Sequence, residues 1–369
     1  MPFSPDYVFL TKSRVNYNPN AQNVVIHNDN DGTDWDVESW LEEVVPDAEV
    51  RQLIWEILGA IIRPFVRWNK SAWFYSTTGN NGKGTLCALM RNLCGPGTYA
   101  SIPLSDFGKE FHLEPLLRAS AIIVDENDVG TYIDKAANLK AVITGDTIQV
   151  NRKFKLPIAY RFCGFMVQCL NEMPRVKDKS NSFYRRQLFV PFTACFTGRE
   201  RKYIKDDYLK RPEVLEYVLW KVLNMDYYQL SEPEACKAAL DEYKTTNDPL
   251  AQFLEEILSQ LAWDLAPLEF IYDLYRSWMR RNNPSGAPVS KTILARELAE
   301  QIKLYPDWSY EREKIHKPGH KMDCAEPLID EYDLTKWTRS SPARLRSGYR
   351  GLRRIAGLCF AADGEAQDD

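Results

Sequence analysis

No stretch of this 369-residue chain approaches the eighteen or so apolar residues of a membrane span, and Met1 to Leu10 has neither the basic start nor the apolar core of a secretion signal. An excess of positive charge is missing too. With 47 Lys and Arg against 51 Asp and Glu, the net charge of −4 excludes a protein that coats nucleic acid with its whole surface, though not one with a locally basic channel. The eight cysteines contain no C-x-x-C pair. Cys87, Cys163 and Cys169 lie in apolar segments where a reduced core thiol is expected, which fits a reducing cytoplasm. His316, His320 and Cys324 are spaced by four, but Lys317-Pro318-Gly319 breaks any helix between the histidines and no fourth ligand is evident, so zinc is not assigned. Internal repeats and low-complexity tracts are absent.

What is present is ordinary in amount and uneven in distribution. A hydrophobic fraction of 44% and a charged fraction of 27% suit a globular protein, and the length calls for two or three domains. Acidic residues are dense from Asp29 to Glu49 and from Asp363 to Asp369, whereas basic residues gather at 152–155, 175–186 and 339–354. The last of these basic segments has no neighbouring acid in the sequence to neutralise it.

The most informative stretch is AWFYSTTGNNGKGT, residues 72–85. It reads as a buried strand running into a glycine-rich turn. A triphosphate needs many backbone N–H groups aimed inward at once, and only small residues let the chain approach that closely. Gly79, Asn80, Asn81, Gly82 and Gly84 suit such a turn; Lys83 would set its ammonium on the β and γ phosphates, and a helix from Thr85 to Leu93 would turn its positive end toward them. Thr77 occupies the usual first glycine position and Gly84 the usual hydroxyl position, so Thr85 is the candidate magnesium ligand from the loop.

Three further strand ends carry polar residues. Ala121 to Val124 is a short apolar run ending in Asp125-Glu126, the way a buried parallel strand delivers carboxylates to its carboxyl end; Asp125 is a candidate for magnesium and Glu126 for polarising the attacking water. Phe165 to Leu170 ends in Asn171, whose amide is either a turn former or a contact for the γ-phosphate. Arg185 and Arg186 precede the apolar run Leu188-Phe189-Val190; they are surface charges or a transition-state finger. Between these strands, Ile148 and Val150 alternate with polar residues as in a hairpin, with Arg152, Lys153 and Lys155 crowded around Phe154 at its tip. Positive charge interleaved with an aromatic suits single-stranded nucleic acid, and equally a solvated surface.

The order GNNGKGT, IIVDEN, LKAVITGDTIQVNRKFK, FMVQCLNEMP, FYRRQLFVPF resembles the superfamily 3 helicases, specifically the helicase half of phage and plasmid primase-helicases related to the poxvirus primase-helicase. Tyr17 to Ala21, Ile57-Leu58-Gly59, Asn247-Asp248-Pro249 and Tyr272 to Trp278 look like further family landmarks. The resemblance implies an AAA+-like P-loop ATPase that binds ATP and Mg2+, forms a homo-oligomeric ring, commonly a hexamer, and moves 3′ to 5′ on single-stranded DNA. It also implies a basic hairpin in the channel at Arg152, Lys153 and Lys155, and a finger at Arg186, or second to it Arg185. A primase or polymerase partner, fused or separate, goes with the family; that half is not recognisable here.

The expected architecture is therefore α/β. Residues 1–66 are read as an extended lead and helical domain, 67–247 as the ATPase with a helical lid, and 248–369 as a winged-helix-like domain. Two rival functions stay open: a monomeric P-loop kinase, and a noncatalytic nucleotide-binding module that assembles or loads a replication complex.

Overall fold

The structure, a computed structural model, describes residues 12–282, 288–341, 343–344 and 346–355. It separates into two units, Met1–Asn247 and Asp248–Asp369. The first begins with a hairpin, β1 (Ile26–Asn28) and β2 (Thr33–Trp35), and two helices, α1 (Val37–Val44) and α2 (Ala48–Ile62). Asp36 and Asp47 start these helices because each carboxylate accepts two otherwise unpaired backbone N–H groups, those of Glu38 and Ser39 and those of Glu49 and Val50.

The α/β core then runs through β3 (Ser71–Tyr75), α3 (Lys83–Cys94), β4 (Tyr99–Ala100), β5 (Ala121–Val124), β6 (Tyr132–Ile133) and α4 (Ala137–Thr144). It continues through the hairpin β7 (Thr147–Arg152) and β8 (Lys155–Arg161), then β9 (Phe165–Leu170), β10 (Arg175–Val176), α5 (Asn181–Tyr184) and β11 (Gln187–Pro191). Helices α6 (Lys202–Asp206), α7 (Pro212–Asn224) and α8 (Glu234–Thr246) close the unit.

Five of these strands make one parallel sheet in the order β11-β3-β9-β5-β4. Both of its faces are buried, which is why its strands read as unbroken apolar runs. Ala72, Phe74, Ile123, Val167 and Val190 join one core with α1, α2, α3 and α7; Trp73, Ile122, Met166 and Phe189 join a second with Leu139, Phe183 and Tyr243. The helices of 37–62 thus share a core with the sheet. Because the strands run parallel, the loops after β3, β5 and β9 leave from one edge, the edge where open α/β sheets bind ligands.

In the second unit, α9 (Pro249–Ile257) is followed by β12 (Leu265–Pro267), α10 (Leu268–Asn282), α11 (Lys291–Gln301), β13 (Trp308–Ser309), α12 (Pro327–Glu331) and β14 (Gly351–Arg354). The strands form an antiparallel sheet in the order β12-β14-β13 over a core of Phe253, Trp263, Phe270, Leu298 and Trp337. After α9 the buried Glu326 carboxylate accepts the N–H groups of Ala262 and Trp263, both at 2.9 Å, and turns the chain into β12. Two arginines of the terminal basic segment do meet acids, a correction to the reading of that segment. Arg354 pairs with the buried Asp264 at 3.1 Å and Arg346 with Glu269 at 2.9 Å. Arg344 packs over the Trp263 ring. The acidic run 363–369 and the side chain of His320 lie outside the described residues. Among the described residues no helix is long and apolar enough to cross a membrane.

Candidate functional site

The turn after β3 wraps around the start of α3. Gly82 is the residue before the helix, in the left-handed conformation with φ +85°, and a Cβ there would meet Val44 Cγ1 at 2.8 Å, so both the backbone and α1 require glycine. Asn81 is buried and ties the turn from inside: its amide donates to the Thr78 carbonyl and its Oδ1 accepts from the Lys83 N–H at 3.3 Å. Gly79, Asn80 and Gly84 surround it, and Gly84 has open space where a side chain would stand.

Lys83 is 5% exposed. Its ammonium reaches across to the ends of two strands, donating to the Ser76 carbonyl at 3.3 Å, the Leu170 carbonyl at 2.9 Å and Asn171 Oδ1 at 3.0 Å. Burial pushes its pKa down, since water is not there to solvate the charge. The loop lysine and the amide at the end of β9, 88 residues apart in sequence, are therefore in direct contact.

At the end of β5 the two carboxylates are exposed and differ in company. Asp125 is held by a fork from Arg91 of α3, Nη2 to Oδ1 at 2.8 Å and Nη1 to Oδ2 at 3.0 Å, and this pairing holds its pKa below the usual carboxylate range. Glu126 has no side-chain partner among the described residues. The next residue, Asn127, was not singled out from the sequence, and it supports the whole edge. Buried, it donates to Gln168 Oε1 at 2.9 Å and the Cys169 carbonyl at 3.0 Å and accepts from the Leu104 N–H at 2.9 Å. Asn127→Ala strands a buried N–H and a buried amide oxygen, and is expected to lower stability by about 2–4 kcal/mol in urea unfolding. A loss within about 0.5 kcal/mol of zero would show that Asn127 does not hold this edge.

A cavity of about 340 Å³ opens beside the loop. Thr85, Asn80 and Gly82 line it on one side, Trp40 and Val44 of α1 on another, and Phe196, Ile204 and Lys205 from the segment after β11 close it. Nothing in the sequence marks Trp40 and Val44 as walls of a pocket. Thr85 and Asp125 offer hard oxygen donors, the kind that suits magnesium.

The arginines stand at the other edge of the sheet. Arg186 precedes β11, and its carbonyl accepts the N–H of Ser71 at 2.8 Å at the start of β3. The five residues of β3 put about 16 Å of strand between that point and the phosphate turn. Arg186 is half-buried, bonded to the carbonyl and, at 2.9 Å, the hydroxyl of Ser182; burial and the adjacent Arg185 lower its pKa. Arg185 is exposed. In the hairpin, Phe154 at the tip is 95% exposed with φ +60°, Leu156 is exposed beside it, and the Lys153 ammonium lies 5.4 Å from the Phe154 ring centre. Lys155 is exposed, whereas Arg152 folds back onto the Leu156 carbonyl at 2.9 and 3.2 Å.

The family described as Poxvirus D5 protein-like matches residues 245–336. This match adds to the resemblance to the superfamily 3 helicases that the motif order carries, and it lies outside the phosphate turn. A second match, described as a family of unknown function (DUF5906), covers residues 74–186, from the phosphate loop to the arginines. Among solved structures, an apo form of the NrS-1 C-terminal region is 15% identical, with a TM-score of 0.46, over 82% of this chain and 82% of that one. Another apo form of that region is 16% identical with a TM-score of 0.44, over 79% of this chain and 66% of that one. A JCV helicase is 14% identical with a TM-score of 0.32, over 56% of this chain and 58% of that one. No functionally curated protein matches the chain.

Proposed function

We propose that this chain is an ATP-driven DNA helicase motor, working as a ring of identical copies, a hexamer on the family's precedent, that moves 3′ to 5′ on single-stranded DNA. The observation that carries the reading is the contact between Lys83 and Asn171 beneath the phosphate turn, together with an exposed arginine at the far edge of the same sheet. In this reading the turn's N–H groups and the Lys83 ammonium take the phosphates, and the apolar walls of the cavity beside Thr85 take the base. Thr85 and Asp125 would hold magnesium, which would supply positive charge against the phosphates. Glu126, exposed and free to turn, would orient the attacking water and receive its proton. Asn171 would read the γ-phosphate and pass its presence to Lys83 and β9.

An arginine some 16 Å along β3 from its own phosphate turn cannot serve that turn, so the finger acts on a neighbouring copy. We assign the reach to Arg185 and the anchoring to Arg186, whose guanidinium is already bonded to Ser182. The second unit, with its order of helix, strand, two helices, strand, short helix and strand, is read as a winged helix, and a primase or polymerase partner is the family's expectation.

The test is ATP turnover over a range of protein concentrations, with and without single-stranded DNA, for the wild type and Phe154→Ala. Turnover should rise with both concentration and DNA. Because Phe154 is 95% exposed, its removal should leave the melting temperature unchanged and weaken DNA binding by about 5- to 150-fold, the worth of one base stack at 1–3 kcal/mol. Turnover indifferent to concentration and DNA would replace the helicase with a monomeric P-loop enzyme.

A further inference from the structure

Asp125 carries two assignments that conflict. As the magnesium carboxylate of the proposed ATPase it must present an oxygen to a divalent cation, yet both of its oxygens are taken by Arg91 at 2.8 and 3.0 Å. We propose that Arg91 is a resident competitor for the magnesium position, a built-in cation that Mg2+ with nucleotide must displace, so that Arg91 sets how much Mg2+ the site demands. The proposal rests on the ATPase reading above.

Three features separate this from a bond that merely pins α3 to β5. First, Arg91 has supports of its own: Nη2 also donates to the Ile123 carbonyl at 3.3 Å, and the guanidinium lies 5.7 Å from the Tyr99 ring centre. Neither contact involves Asp125. Second, Asp125 is the first residue after β5 and is exposed, so its side chain can rotate without disturbing the strand. Third, Arg91 lies eight residues after Lys83 on the same helix, about 12 Å along its axis. α3 thus sends one cation toward the phosphates and a second to the carboxylate meant for the metal. Two cations on one carboxylate repel, and at contact distance, well inside a Debye length, salt screens that repulsion little. Seating the metal therefore means either turning Asp125 out of the fork or bearing the charge of Arg91 beside it.

The experiment is equilibrium binding of a fluorescent ATP analogue to the full chain, titrated with MgCl2, for the wild type, Arg91→Met, Arg91→Lys and Asp125→Asn, with melting temperatures recorded for each. Arg91→Met should lower the Mg2+ midpoint by about tenfold and leave affinity in EDTA unchanged. Arg91→Lys, a single point charge without the fork, should fall between, and it carries the test alone if the Met variant does not fold. An Arg91→Met midpoint equal to or above the wild type, while Asp125→Asn still flattens the Mg2+ response, overturns the competitor and leaves the nucleotide site standing. A Mg2+ response untouched by Asp125→Asn shows that Asp125 is no metal ligand; that failure belongs to the ATPase assignment and takes the competitor with it.

Discussion

Arg185→Ala is expected to cut ATP turnover by about 10³- to 10⁵-fold while leaving nucleotide affinity near that of the wild type, because a finger stabilises charge that develops only in the transition state. In the proposed ring the loss is a property of the assembly. Arg185 sits beside the start of β11, at the opposite edge of the sheet from Lys83, so on the proposed trans arrangement its removal should empty the neighbour's site of a donor and leave its own site whole. Mixing Arg185→Ala with Lys83→Met chains supplies the decisive measurement. Each variant is inactive alone, but a contact that joins the intact loop of one to the intact arginine of the other should regain turnover. No recovery on mixing, with both proteins folded and associating, would remove the trans finger. Arg186→Ala should behave differently: its guanidinium is tied to Ser182, so its loss should lower the melting temperature as well as turnover.

Lys83→Met should weaken ATP binding by about 30- to 5,000-fold, the 2–5 kcal/mol typical of truncating one member of a desolvated charge pair. Stability should move little, and the sign follows from the pKa. Burial lowers the Lys83 pKa relative to the unfolded chain, so the buried charge opposes folding in full below that lowered value, and the cost fades as pH rises from there to the pKa of the unfolded chain. Methionine removes this cost, while the carbonyls of Ser76 and Leu170 and the Asn171 oxygen each lose a donor. The two effects oppose each other. Equilibrium binding with the melting temperature alongside checks both; ATP affinity within threefold of the wild type would show that Lys83 does not hold phosphate.

Much of the parallel sheet was readable in advance because its strands are buried on both faces, and burial on both faces leaves continuous runs such as Ala121 to Val124. The hairpin was readable from its alternation, and Phe154 between basic residues marked its tip. β12 escaped notice because three residues ending in proline carry no period; only Glu326, more than sixty positions away, turns the chain there. Asn127 went unremarked beside two carboxylates for a similar reason. Its importance lies in Gln168 and Leu104, and neither is a neighbour in sequence.

What the sequence by itself determined is the set of devices made from a few consecutive residues: the glycine turn with Lys83, the carboxylates at the end of β5, the hairpin and the paired arginines. Their conformations follow from local backbone freedom, apolar periodicity and charge. Only the tertiary structure decided which of them meet. It brought Lys83 to Asn171, gave Asp125 to Arg91, set Trp40 and Phe196 around one cavity, and exposed Arg185 while burying much of Arg186. Those contacts come from the order of strands in the sheet and from which helix covers which face, and both are set by packing among residues far apart along the chain.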